Sequence, residues 1–111
     1  MELHERTEGG VTVLEVVGRV DSVTSPDLSA RLTAILGTPQ RKVLIDFRQL
    51  EYISSAGFRV LFLASKQAGE GGSRLALCAL SGKAQELFSI AGFLKIFTIV
   101  PTREEGVAAL R

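Results

Sequence analysis

Between Lys42 and Gly69 the hydrophobic period of the chain changes once and abruptly, and this change constrains the fold more than any other feature. Lys42-Val43-Leu44-Ile45-Asp46-Phe47 is a short, nearly continuous apolar run rich in β-formers, a pattern that suits a central strand, Val43–Phe47, covered on both faces, with cover on one face as the alternative. Leu50-Glu51-Tyr52-Ile53-Ser54-Ser55 joins it to a stretch with helical period. There Gly57, Val60, Leu61, Ala64 and Ala68 form one stripe, Arg59 and Lys66 point away from it, and Phe58 and Phe62 lie together on its flank at i, i+4. A helix is expected from near Ala56 to about Gly69, ended by the turn Glu70-Gly71-Gly72-Ser73.

The rest of the chain alternates in the same way. Glu2–Arg6 and Val11–Val17 flank Glu8-Gly9-Gly10, and Gly-Gly supplies the positive φ of a tight hairpin. Ser25 suits an N-cap, Pro26 the first helical position and Asp27 the positive end of a helix dipole. Leu28, Leu32, Ile35 and Leu36 share one face of that helix, and Gly37 and Pro39 end it. Arg74–Leu80 reads as a strand. Ser81 caps a third helix with Ala84, Leu87, Phe88 and Ala91 inward and Gly92 as terminator. A last short strand falls within Phe93–Val100, and the capping box Thr102-Arg103-Glu104-Glu105 opens a final helix to Leu110. Such alternation means one α/β domain over residues 1–111, with a sheet mainly parallel after its opening hairpin. It leaves the strand order open.

Composition removes several functions. At 111 residues, 46% of them hydrophobic, the chain can bury a core without disulfides or metal. Net charge is +1, and the scattered basic residues form no stripe for nucleic acid. The N-terminus lacks the apolar core of a secretory signal, and no apolar run reaches the roughly 20 residues that cross a bilayer. The single cysteine, Cys78, sits in an apolar strand segment. These features suit a cytoplasmic, reducing setting. Serine hydrolysis needs a base beside the nucleophile, yet the only histidine, His4, lies in the first strand. One cysteine and one histidine cannot build a tetrahedral metal site. Gly69, Gly71 and Gly72 follow a helix, the reverse of a phosphate-cradling loop. No catalytic residue, metal or cofactor is expected.

Ser54-Ser55 remains, at a helix mouth where backbone N–H groups lack intrahelical partners. One reading is a helix cap, whose replacement by alanine costs about 0.5–2 kcal/mol. The other is a phosphorylation site, where the added phosphate meets free N–H donors and the positive end of the dipole. Phe58 and Phe62 read either as an apolar docking patch beside that site or as peripheral core.

The motifs resemble a stand-alone STAS domain of the bacterial anti-sigma-factor antagonist type, over nearly the whole chain. Gly18-Arg19-Val20-Asp21, Val43-Leu44-Ile45-Asp46-Phe47, Leu50 to Leu61 with Ser54-Ser55-Ala56-Gly57 at its centre, and Leu87-Phe88-Ser89-Ile90-Ala91-Gly92-Phe93 carry the resemblance. It implies a mixed sheet of about five strands with about four helices and a switch serine at the start of the second helix. It also implies no enzymatic activity of the chain's own. The implied partners are an anti-sigma factor that is an ATP-dependent serine kinase and a metal-dependent serine phosphatase. The family motif reads Asp-Ser-Ser/Thr-Gly; aligning on Gly57 puts Ser55 at the phosphorylated serine, Ser54 at the aspartate and Ala56 at the next hydroxyl position. Ser55 is therefore the expected phosphorylation site and Ser54 the second choice. The partner surface is expected to include Asp21, Ser54, Ser55, Ala56, Gly57, Phe58 and Phe62. The alternatives are a constitutive STAS scaffold subunit of another assembly and a nucleotide-binding STAS protein.

Overall fold

Gly9 and Gly10 both take positive φ, 55° and 79°, which glycine reaches without a Cβ clash. The two-residue turn they form folds β1 (Glu2–Glu8) antiparallel onto β2 (Val11–Val20). The computed structural model describes residues 1–111. From β2 the sheet continues through parallel neighbours β3 (Lys42–Asp46), β5 (Arg74–Cys78) and β6 (Thr98–Val100), in the order β1-β2-β3-β5-β6. Four helices, α1 (Ser25–Leu36), α2 (Ser55–Glu70), α3 (Gly82–Ile90) and α4 (Arg103–Leu110), complete the α/β domain.

A sixth strand, β4 (Leu50–Ile53), lies in the segment read from sequence as a connection. It pairs in parallel with the far end of β2. β2 is long enough to serve two parallel partners in succession, β3 along Thr12–Glu15 and β4 along Gly18–Val20. The register shifts between Gly18 and Arg19, which pair with Leu50 and Tyr52 and leave Glu51 of β4 as the extra residue; Gly18 itself adopts φ 96°. Four residues are too few for alternation to announce a strand; this one finds its partner because β2 runs on past the stretch that meets β3.

The core has two layers. On one face, Leu14, Val16, Ile45 and Leu77 pack beneath Leu28 and Leu32 of α1, Leu61 of α2 and Phe88 of α3. On the other, Val11, Val13, Leu44, Ala76 and Cys78 pack with Leu110 of α4. β3 is consequently buried on both sides, as its unbroken apolar run implies. Each fully buried leucine here contributes about 1.5–3 kcal/mol relative to an exposed one. Burial, then the nearby Asp46 carboxylate, push the Cys78 thiol up to about 12, so it stays a neutral core residue.

Several local expectations are corrected. Ser25 is the first residue of α1 and buried, with Thr24 before it in the cap position. Ala91 is exposed because it lies beyond the last turn of α3. The last strand falls within the expected stretch, at Thr98–Val100, and before it the chain turns to bring Phe93 and Phe97 together, ring centroids 5.7 Å apart. Thr102 Oγ1 accepts from the Glu105 amide at 3.1 Å, but the Glu105 side chain returns no bond, so half of the capping box forms. The Ser81 cap forms as expected, accepting from the Ala84 amide at 3.1 Å.

Candidate functional site

Strands β2 and β4 end side by side, with Val20 opposite Ile53. The Gly18 amide donates to the Gln49 carbonyl and the Ser54 amide to the Val20 carbonyl, both at 2.9 Å. The loop leaving β2 and the mouth of α2 are thereby held together: Asp21 follows one strand, and Ser54-Ser55 the other.

The two serines are not equivalent. Ser54 holds the N-cap position with extended backbone, φ −93° and ψ 175°, and its carbonyl accepts from the Phe58 amide at 3.0 Å. Its hydroxyl makes no cap hydrogen bond, and its Oγ is buried without a partner. Ser55 is the first helical residue and is exposed. Of the two serines, Ser54 therefore takes the cap position.

Gly57 sets how closely α2 approaches the sheet. A Cβ there would lie 2.6 Å from Ile53 Cγ1 and 2.8 Å from Val20 Cγ1, closer than packed atoms allow. Phe58 is also buried, its ring 4.9 Å from Phe88 and 5.1 Å from Phe93 between centroids, in edge-to-face contacts. The core stripe of α2 is thus Gly57, Phe58, Leu61, Ala64 and Ala68, with Val60 half-buried at its edge. Only Phe62 of the aromatic pair is exposed, at 42%, and it reaches Phe93 at 6.4 Å. Gly57 and Phe58 are buried beneath the surface. Ser55 and Phe62 face solvent, and Asp21, Ser54 and Ala56 are half-buried.

Asp21 organises its own loop. Its Oδ1 accepts from the amides of Val23 and Thr24, both at 3.0 Å, and from Thr24 Oγ1 at 3.2 Å. Thr24 Oγ1 accepts in return from the Asp21 amide at 2.9 Å, and the Asp21 carbonyl accepts from the Ser25 amide at 2.8 Å. This reciprocal arrangement caps the turn that leads into α1. The Thr24 amide and then the Val23 amide hold the carboxyl below its ordinary value. Beside it, the Arg19 guanidinium lies 4.5 Å from the centre of the Tyr52 ring, joining β2 to β4 by a cation–π contact.

Away from this corner, Arg103 at the start of α4 gathers carboxylates from three strands. Its Nε and Nη2 lie 3.0 Å and 2.9 Å from Asp46 Oδ2, Nη2 is 3.0 Å from Glu15 Oε1, and Nη1 is 3.3 Å from Glu8 Oε1. Burial works against the guanidinium charge, but the bonds to Asp46 and Glu15 outweigh it and raise its pKa. Sequence reasoning missed this cluster, as it missed the Asp21–Thr24 and Arg19–Tyr52 pairings. No spacing rule links residues 57 positions apart, although Asp21 and Thr24 do stand at a cap-like interval. No group of three or more His, Cys, Asp or Glu side chains is placed to hold a metal ion. No helix is long and apolar enough to cross a membrane.

A hairpin-led mixed sheet with a solvent-facing serine at the mouth of its second helix defines a class of small α/β module. The chain belongs to the STAS domain family, whose model matches residues 3–106. Among its relatives is BtrV of Bordetella bronchiseptica, whose name assigns it provisionally to the anti-sigma factor antagonists. It is 38% identical over 102 residues, covering 92% of this chain and 88% of BtrV. The fold is also similar to the crystal structure of an anti-sigma factor antagonist from Mycobacterium paratuberculosis, with TM-score 0.87, 24% identity, and coverage of 99% and 93% of the two chains. It is similar as well to Bacillus SpoIIAA in its phosphorylated form, with TM-score 0.73, 16% identity, and coverage of 99% and 100%.

Proposed function

We propose that this protein is a cytoplasmic anti-sigma-factor antagonist switched by phosphorylation of Ser55. The observation that carries the reading is the contrast between the two hydroxyls: Ser55 is exposed at the first position of α2, whereas Ser54 Oγ is buried. The 38% identity to BtrV across nearly both chains supports antagonism of an anti-sigma factor. SpoIIAA, which shares the fold, is a protein with a phosphorylated form.

In this reading the unmodified protein binds an anti-sigma factor that is also a serine kinase, through the surface running from Asp21 and Ser54 to Phe62. The kinase transfers the γ-phosphoryl group of ATP to Ser55 Oγ; ADP leaves and the hydroxyl proton is lost. A metal-dependent serine phosphatase hydrolyses the ester to serine and inorganic phosphate. The added group carries about −1.5 to −2 charges at neutral pH. The free N–H groups at the mouth of α2 tolerate that charge, so the fold survives. A partner seated on the same surface would have to desolvate it, and binding is lost.

Incubation with the cognate kinase and ATP, followed by mass-spectrometric mapping, tests the site. One phosphate on Ser55, absent from Ser55→Ala, is the expected product. Phosphate confined to any other residue would refute the assignment.

A further inference from the structure

The solvent-facing edge of α2 carries a cation that the fold does not use. Arg59 is exposed and makes neither a hydrogen bond nor an ion pair, whereas Arg6 is engaged with Glu15, Arg31 with Glu5, Arg41 with Thr12 and Arg103 with Asp46. Arg59 stands four residues after Ser55, and both are exposed. Residues at this spacing lie on one helix face with Cβ atoms about 5–6 Å apart, and an anion placed N-terminal to a cation is the better orientation. Helical side chains lean toward the N-terminus, so a side chain at position 59 can reach back toward position 55. No carboxylate on the helix competes, because α2 has no acid in its first turn and none before Glu70, its last residue.

We propose that Arg59 is the internal counter-ion of phosphorylated Ser55, held to it along the edge of α2 by a charge-assisted pair. The inference rests on Ser55 being the switch residue. A guanidinium presents a planar fork of donors that matches phosphate oxygens. Arg59 also neighbours the exposed Phe62 and Leu63 at i+3 and i+4. The bare protein therefore displays a free cation beside apolar side chains, and the phosphorylated protein displays an ion pair of net negative charge in the same place. Modification thus changes the surface over two turns of helix rather than at one residue.

The test installs phosphoserine at position 55 by genetic encoding, so its outcome does not depend on which residue a kinase selects. The second ionisation of the phosphate is followed by phosphorus NMR in the parent background and in Arg59→Gln, Arg59→Lys and Arg19→Gln, with circular dichroism confirming the fold of each. The charged groups common to the comparison are Asp21 on the β2–α1 loop, Arg19 at the end of β2 and Glu51 on β4, and differences between backgrounds cancel their effect. The ionisation is expected to lie roughly 0.15–0.4 pH units lower in the parent than in Arg59→Gln. The Arg59→Lys variant should recover part of that difference, 1 M salt should shrink it, and Arg19→Gln should leave it intact. Identical titrations of the parent and Arg59→Gln, or a difference abolished by Arg19→Gln, would overturn the proposal. A kinase that modifies another residue would instead defeat the Ser55 switch while leaving this result standing.

Discussion

The amide of Ser54 donates to the carbonyl of Val20 at 2.9 Å, and this bond sets the exit of β4 and the entrance of α2 against the end of β2. Everything at the site depends on how closely that corner is packed. Gly57 lies at its centre, where an added Cβ would meet Ile53 and Val20 at 2.6 and 2.8 Å. Gly57→Ala should therefore destabilise the domain by about 1–3 kcal/mol through overpacking, despite alanine being the better helix former. Urea unfolding measures this. Trimming the obstacle in the double variant Gly57→Ala/Ile53→Val should recover part of the loss, and an alanine variant as stable as the parent would show that α2 can move outward freely.

The two serines should separate in stability measurements in an unusual way. Replacing an N-cap serine by alanine ordinarily costs about 0.5–2 kcal/mol. Ser54 is the N-cap, but its hydroxyl makes no cap bond and is buried without a partner. Its removal relieves an unsatisfied group, so Ser54→Ala should change stability by less than about 0.5 kcal/mol. Ser55→Ala, at an exposed first helical position, should be equally mild. Thermal and denaturant unfolding of both variants checks this, and a loss near 2 kcal/mol in Ser54→Ala would mean the hydroxyl caps the helix in solution.

The sequence already exposed the parts of this architecture that depend on periodicity and punctuation. The unbroken apolar run of β3, the glycine turn between β1 and β2, the Ser81 cap and the serines at the mouth of α2 are all local signals. The parts that stayed hidden depend on pairings between distant residues. β4 is four residues long and pairs with the end of β2 that extends beyond β3. Phe58 was placed on the flank of α2, whereas the aromatic cluster of Phe88 and Phe93, contributed by and just beyond α3, draws it into the core. Asp21 carries an acidic side chain whose loop-capping role becomes visible only with the Thr24 geometry. Residue type and spacing located the corner, but not which of its residues face solvent.

Asp21 makes stability depend on pH in a defined direction. Its carboxyl is held below the ordinary value of 3.8 by the amides of Thr24 and Val23. A depressed folded-state pKa means that the unfolded chain binds the proton more readily. Its contribution is therefore complete above about pH 5 and fades as pH falls through 3.8 and then through the lower folded value. Asp21→Ala should be less stable than the parent at neutral pH, and the difference should narrow steadily in acid. Denaturant midpoints between pH 7 and pH 2 would record this, and a constant difference would mean that the negative charge is irrelevant to the loop.

Arg103 holds α4 onto the sheet by charge, at the mouth of a helix whose Gly106 is pressed against Leu44. Its guanidinium serves Asp46, only 5% exposed, and Glu15, 14% exposed, while Glu8 is more open to water at 37%. Removing the cation would leave the buried Asp46 carboxylate without its cation and Glu15 with Arg6 alone, and breaking a buried pair on one side costs far more than the pair contributes. Arg103→Met should lower stability by about 2–4 kcal/mol, whereas Glu8→Gln, which cuts only the solvent-screened contact, should cost less than about 1 kcal/mol. Arg103→Lys should recover less than half of the loss, because an ammonium cannot span Asp46 and Glu15 with the forked donors of a guanidinium. Combining Arg103→Met with Asp46→Asn removes the stranded charge along with its partner, so the double variant should be more stable than Arg103→Met alone. Urea unfolding of the four variants decides the matter: equal stabilities for Arg103→Met and Glu8→Gln would show that α4 is retained by the apolar contacts of its Gly106 and Leu110 with the sheet and not by the ion cluster.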